Sequence, residues 1–136
     1  MAEVTEAVLV DTHFVLWVRV EPLRLSVGER AIIDSAALRL VSIVSLWEIA
    51  IAQTVGRIPR SEQLLEVPPG FDLLPVRIDH CKAFASLPMH HRDPFDRMLI
   101  AQAQSEEMTL LTRDRAVAAY HEHAAILRYP EPGEPG

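Results

Sequence analysis

Three short apolar runs, each handed on to a helix-forming stretch, constrain this chain more than any other feature. They are Ala7-Val8-Leu9-Val10, Leu40-Val41-Ser42-Ile43-Val44 and Thr109-Leu110-Leu111-Thr112. Short runs that do not alternate with polar residues suit strands covered on both faces. Between them the spacing turns helical. Thr12 to Val20 points Phe14, Trp17 and Val18 inward, and Pro22 stops it. Ser26-Val27-Gly28-Glu29 has the form of a capping box, opening a helix with Ala31, Ile32 and Ala36 on one side. Ser45-Leu46-Trp47-Glu48 reads as a second box, and its helix runs to Gly56, a good C′ residue. Strands alternating with helices imply an α/β fold. The expected architecture is three-layered, with a parallel sheet of four or five strands and helices on both faces.

The most specific block is His91-Arg92-Asp93-Pro94-Phe95-Asp96-Arg97-Met98-Leu99-Ile100-Ala101-Gln102-Ala103. Asp93 suits an N-cap, Pro94 the first helical turn that needs no amide hydrogen, and Asp96 the same turn. Phe95, Met98, Leu99 and Ala103 form the buried stripe. Elsewhere, Arg57 to Val67 is a connector with a short helix from Ser61, and Pro68-Pro69-Gly70 a turn. Leu73 to Val76 is a weak strand, placed at an edge by Pro75. Asp79 caps a helix through Phe84, and 87–92 is a loop. Asp114 starts a final helix to about His121, and Ile126-Leu127 is a last strand. The expected domain is 1–129, with its first six residues frayed. The tail 130–136, with three prolines and two glycines, is expected to be disordered.

Composition narrows the class. The chain has 136 residues and a formal net charge of −6, about one domain. That charge argues against gripping nucleic acid by bulk electrostatics, yet allows a nuclease whose acids hold cations. The longest apolar candidate, Ile43 to Ala52, is interrupted by Glu48, so no membrane span is expected. Glu3 and Glu6 without a basic n-region argue against a signal peptide. The single cysteine, Cys81, fits a reducing, cytoplasmic setting and is expected as core filler beside Phe84.

In a parallel sheet the strand carboxyl ends and the helix N-termini share one rim, where open α/β sheets bind ligands. Asp11 ends the first strand, Glu48 sits in the first turn after the second, and Asp96 opens its helix. Asp114 follows the Thr109–Thr112 strand by two residues. Taken singly, each acid is explained as a helix cap or a favourable charge worth about 1 kcal/mol. Collectively, two carboxylates about 4 Å apart repel by roughly 4 kcal/mol at an effective dielectric of about 20. Converging acids therefore need a cation or take up protons. An oxygen-only set suits Mg2+ or Mn2+ rather than zinc.

Rival readings stay open at this point. A Mg-dependent phosphoryl-transfer domain of the receiver kind needs a lysine at a strand end, and the only lysine, Lys82, falls in an expected helix. A haloacid-dehalogenase-like phosphatase needs a second Asp where His13 stands. A non-catalytic α/β binding module would use every acid as a cap. His90 and His91 look like a ligand pair, but adjacent loop residues rarely serve one metal, so they, like His121 and His123, are read as solvated loop positions; Trp17 and Trp47 are read as core or dimer contacts. Arg92, Arg97 and Arg113 are candidates for substrate phosphate or plain surface charge.

Leu9-Val10-Asp11-Thr12-His13, Ser42 to Ala50, His91 to Ala103, and Leu111-Thr112-Arg113-Asp114 together, in this order and spacing, resemble the PIN-domain ribonucleases, specifically VapC-type toxins. The match spans about residues 7–121; residues 56–88 match little beyond Gly56-Arg57. The resemblance implies an endoribonuclease toxin, a VapB-type antitoxin, a homodimer and a Mg2+- or Mn2+-dependent site. The family's acidic set maps onto Asp11, Glu48, Asp96 and Asp114, with Asp93 as an outer acid. Asp11, Asp96 and Asp114 would hold metal, and Glu48 would complete the shell or act as base. Thr12, Ser45 and Thr112 would orient carboxylates. In-line attack by metal-activated water would leave 5′-phosphate and 3′-hydroxyl ends.

Overall fold

The computed structural model describes residues 6–130 and 134. Residues 1–5 of the expected frayed start, and 131–133, 135 and 136 of the expected tail, lie outside them. Five parallel strands form one sheet: β1 (Ala7–Val10), β2 (Leu38–Ser42), β3 (Asp72–Leu74), β4 (Thr109–Thr112) and β5 (Ile126–Arg128). Their spatial order is β3-β2-β1-β4-β5. Helices α1 (Thr12–Val20), α2 (Val27–Ser35), α3 (Ile43–Thr54), α4 (Ile78–Ser86), α5 (Pro94–Glu106) and α6 (Arg115–Ala118) connect them. No helix among the described residues is long and apolar enough to cross a membrane.

Strand alternation divides the core in two. Val8, Val10, Val41 and Leu111 pack on one face with Phe14 and Ile49, while Leu9, Leu40 and Leu110 pack on the other with Leu99, Ile100 and Tyr120. Each such aliphatic side chain contributes roughly 1.5–3 kcal/mol on burial. The winding decides where a site can form. The chain lays β2 and β3 to one side of β1, then returns to place β4 and β5 on the other. Paths therefore diverge between β1 and β4, and a crevice opens outside their carboxyl ends.

Several local expectations need correction. β2 ends at Ser42, two residues before the expected end, and α3 starts at Ile43. The Ser42 hydroxyl accepts from the Val44 amide at 3.0 Å and donates to Gln102 Oε1 at 2.6 Å. That cap starts the helix early, so no box forms at Ser45, and Glu48 falls in the second turn rather than the first. Of the expected inner face of α2, Ile32 and Ala36 are buried but Ala31 faces solvent, and Ile33 is buried in its place. Cys81 is exposed rather than core; α4 turns buried His80 and half-buried Phe84 inward. Asp79 lies in the first turn of α4, and Arg77 holds the cap position. The last helix stops at Ala118, short of His121. Ser42→Ala is expected to remove about 1 kcal/mol of cap energy. It also strands the Gln102 side chain, so thermal melting should fall by several degrees.

Candidate metal centre

Each acid is set by the element that carries it. Asp11, immediately after β1, caps α1 by accepting from the Phe14 amide at 3.3 Å. Its other oxygen accepts from the Thr112 hydroxyl at 2.7 Å, and that hydroxyl in turn accepts from the Asp114 amide at 3.0 Å. Thr112 thereby ties the ends of β1 and β4 together. Asp114 caps α6, accepting from Ala116 N at 2.8 Å, and is exposed. Glu48, from α3, accepts from the Thr12 hydroxyl at 2.7 Å, which lies 3.0 Å from the Ser45 hydroxyl. Ser45 thus touches the site through Thr12 rather than as a cap. Asp93 caps α5 through Phe95 N at 2.9 Å and Asp96 N at 3.4 Å.

His91, expected as a solvated loop position, is instead a donor beside Asp96. His91 Nε2 lies 2.9 Å from Asp96 Oδ2. Ligand atoms of His91, Asp93 and Asp96 all lie within 4.8 Å of one another. His91 is therefore not a solvated loop residue. The loop is stapled by Tyr120, whose buried hydroxyl accepts from the His90 and His91 amides at 3.0 and 2.9 Å and donates to Pro88 O at 2.8 Å. Nothing near His91 in sequence announces this, because Tyr120 arrives from after β4.

The electrostatics couple the acids across elements. Burial pushes the Asp96 carboxyl up to about 6, and Asp93 and Asp11 add to the rise against the His91 bond. Burial raises Asp11 too, Asp114 contributes, and the Thr112 bond opposes. Glu48 is raised by burial and then by Asp96 and Asp93. The acids are thus linked in pairs, Asp114 to Asp11, Asp11 to Asp96 and Asp96 to Glu48, and the tightest donor set is His91, Asp93 and Asp96. Carboxylates crowded and desolvated in this way, with a single imidazole, fit a hard divalent cation.

Two of the three candidate phosphate contacts, Arg97 and Arg113, are buried and so are neither surface charges nor open to substrate. Arg113 is buried against Glu29, and Arg97 is buried over the Phe84 ring at 4.5 Å, donating to Leu87 O. Only Arg92 of the three is exposed. Trp17 is core, whereas Trp47 is 61% exposed and packs edge-on to Phe95 at 5.1 Å.

A PIN domain family profile matches residues 8–122. None of the curated proteins matches the chain. Among solved structures the chain is similar to VapBC2 from Rickettsia felis bound to a promoter DNA fragment, at 12% identity and TM-score 0.65, covering 90% of this chain and 98% of that one. It is similar to FitAcB from Neisseria gonorrhoeae at 20% identity and TM-score 0.61, covering 89% and 96%. VapBC-5 of Mycobacterium tuberculosis, a member of the VapBC toxin-antitoxin family, shares 19% identity and TM-score 0.63 over 91% and 98%.

Proposed function

This chain belongs to the PIN-domain family, a family of nucleases, and from that premise we propose that it is a Mg2+- or Mn2+-dependent endoribonuclease toxin neutralised by a VapB-type antitoxin. The observation that supports the reading is that Asp11 and Glu48 each interact electrostatically with Asp96, with all three carboxyl groups raised first by burial. Asp11 and Asp96 hold the ion in this proposal, with Asp114 joining from the β4 side and His91 and Asp93 beside Asp96. Thr112 and Thr12 fix the oxygens of Asp11 and Glu48. Glu48, half-buried and hydrogen-bonded on one oxygen, would complete the metal shell or take a proton from the attacking water in this proposal. A bound divalent ion supplies Lewis-acid polarisation of the phosphoryl oxygen and lowers the pKa of water.

The antitoxin assignment draws on the toxin–antitoxin complexes whose fold this chain shares. A homodimer is proposed through the exposed Trp47 face, since Trp47 lies outside the core. Purified protein is expected to cleave RNA with Mn2+ and to stop with EDTA. Calorimetry is expected to give a Mn2+ binding heat at pH 7; a flat titration would overturn the reading in favour of acids that serve only as caps.

A pH dependence follows from Asp96. Its folded pKa of about 6 exceeds its ordinary 3.8, so the folded metal-free state holds the proton to higher pH than the unfolded chain. The stability associated with that proton is fully present below about pH 4 and lost as pH rises through about 6. Added Mn2+ should therefore raise the melting temperature more at pH 7 than at pH 5, read by scanning fluorimetry; equal rises would contradict it.

A further inference from the structure

A cleft of about 510 Å³ is lined by Asp11 and Asp114 and also by Arg24, Arg115, Arg128 and Glu134. Arg128 is held in place, because its Nε donates to Arg113 O at 2.9 Å. Its Nη2 reaches both carboxylate oxygens of Glu134 at 2.7 and 2.6 Å. Arg115 Nη2 lies 3.0 Å from Glu134 Oε1. Although Glu134 lies six residues beyond β5, its side chain is only 16% exposed. Two guanidinium groups thus converge on one anion, in the same cleft as two of the candidate metal ligands.

We propose that Arg128 and Arg115 form a subsite for an RNA phosphate flanking the one to be cut, and that Glu134 occupies it as an internal competitor. This rests on the nuclease reading above. A guanidinium N–H donates to carboxylate and phosphate oxygens alike, so one anion can replace the other. Partly exposed ion pairs are weak, so the carboxylate holds the subsite against RNA by a few-fold only and is displaceable. A pairing that merely ties down the segment beyond β5 would leave RNA affinity untouched.

The test is fluorescence anisotropy with a short fluorescein-labelled single-stranded RNA, with Ca2+ in place of Mn2+ to suppress turnover. Glu134→Gln should bind about three- to fivefold tighter than wild type. Arg128→Gln should bind about tenfold weaker, with the slope of log K against log salt reduced by about one. With Arg128→Gln already present, Glu134→Gln should add little. Affinity unchanged by Glu134→Gln, or raised equally with and without Arg128, would overturn the proposal. Wild-type cleavage with Mn2+ is scored separately. RNA bound but never cut sinks the nuclease reading alone, whereas RNA cut but bound with indifference to Glu134→Gln sinks the subsite alone.

Discussion

Asp96→Asn is expected to lower metal-dependent RNA cleavage by on the order of a hundredfold to a thousandfold, the cost of removing one preorganised charge from a reacting centre. The same substitution should raise the melting temperature of metal-free protein. Asp96 is desolvated and faces Asp93 and Asp11, and carboxylates about 4 Å apart repel by roughly 4 kcal/mol at an effective dielectric of about 20. Asparagine keeps an oxygen for the His91 contact while removing that repulsion. Lost activity combined with gained stability separates a ligand from a structural cap, whose loss lowers both. Wild type and Asp96→Asn cutting at equal rates, or the variant melting lower without metal, would remove Asp96 from the centre.

Glu29→Gln should be the most destabilising single change at a distance from the chemistry. Glu29 is 1% exposed, and Arg113 reaches its two oxygens at 2.8 and 2.8 Å. Arg113 also donates to Arg24 O at 2.6 Å and lies 4.4 Å over the Trp17 ring. Removing the Glu29 charge takes from the buried Arg113 guanidinium a carboxylate that meets it on both oxygens, which costs about 3–5 kcal/mol. Glu29 also closes the α2 capping box by accepting from Ser26 N at 2.7 Å. Chemical denaturation measures the loss, and Arg113→Met added to Glu29→Gln should return part of it. A loss under about 1 kcal/mol would contradict this account of the pair. The pH sign is the reverse of that for Asp96. Burial raises the Glu29 pKa, but the Arg113 and Ser26 bonds more than reverse it, and the net position is below 4.5. Its stabilisation is present above the ordinary value and lost as pH falls through the lower folded value.

Where the determinants are local, sequence reading and structure coincide. The Ser26–Glu29 box, Pro94 at the first helical position, Gly56 at φ +79° and the β1 and β4 strands depend on neighbours within a few residues. The Ser45–Glu48 box failed because two serines compete for one helix start. Ser42 won by also binding Gln102, which lies 60 positions away. Cys81 and Phe84 both suit an inner face by composition, and only the docking of α4 through His80 and Glu106 turned Cys81 outward. Arg113 looked like a surface cation until Glu29, 84 positions upstream, came to lie beneath it.

Alternating apolar runs and helix signals were enough to establish the parallel sheet, its two-faced core and the rim on which every helix begins, because backbone periodicity is a short-range property. Which acids share a field, that His91 joins Asp96, and that Glu134 comes to face Arg128 depend on strand order and on loop closure by Tyr120. Strand order and the Tyr120 closure, 29 positions from His91, are long-range, and they leave no mark on the sequence around the residues they bring together. A carboxylate's role is set by the charges around it in space, and folding alone brings those charges together.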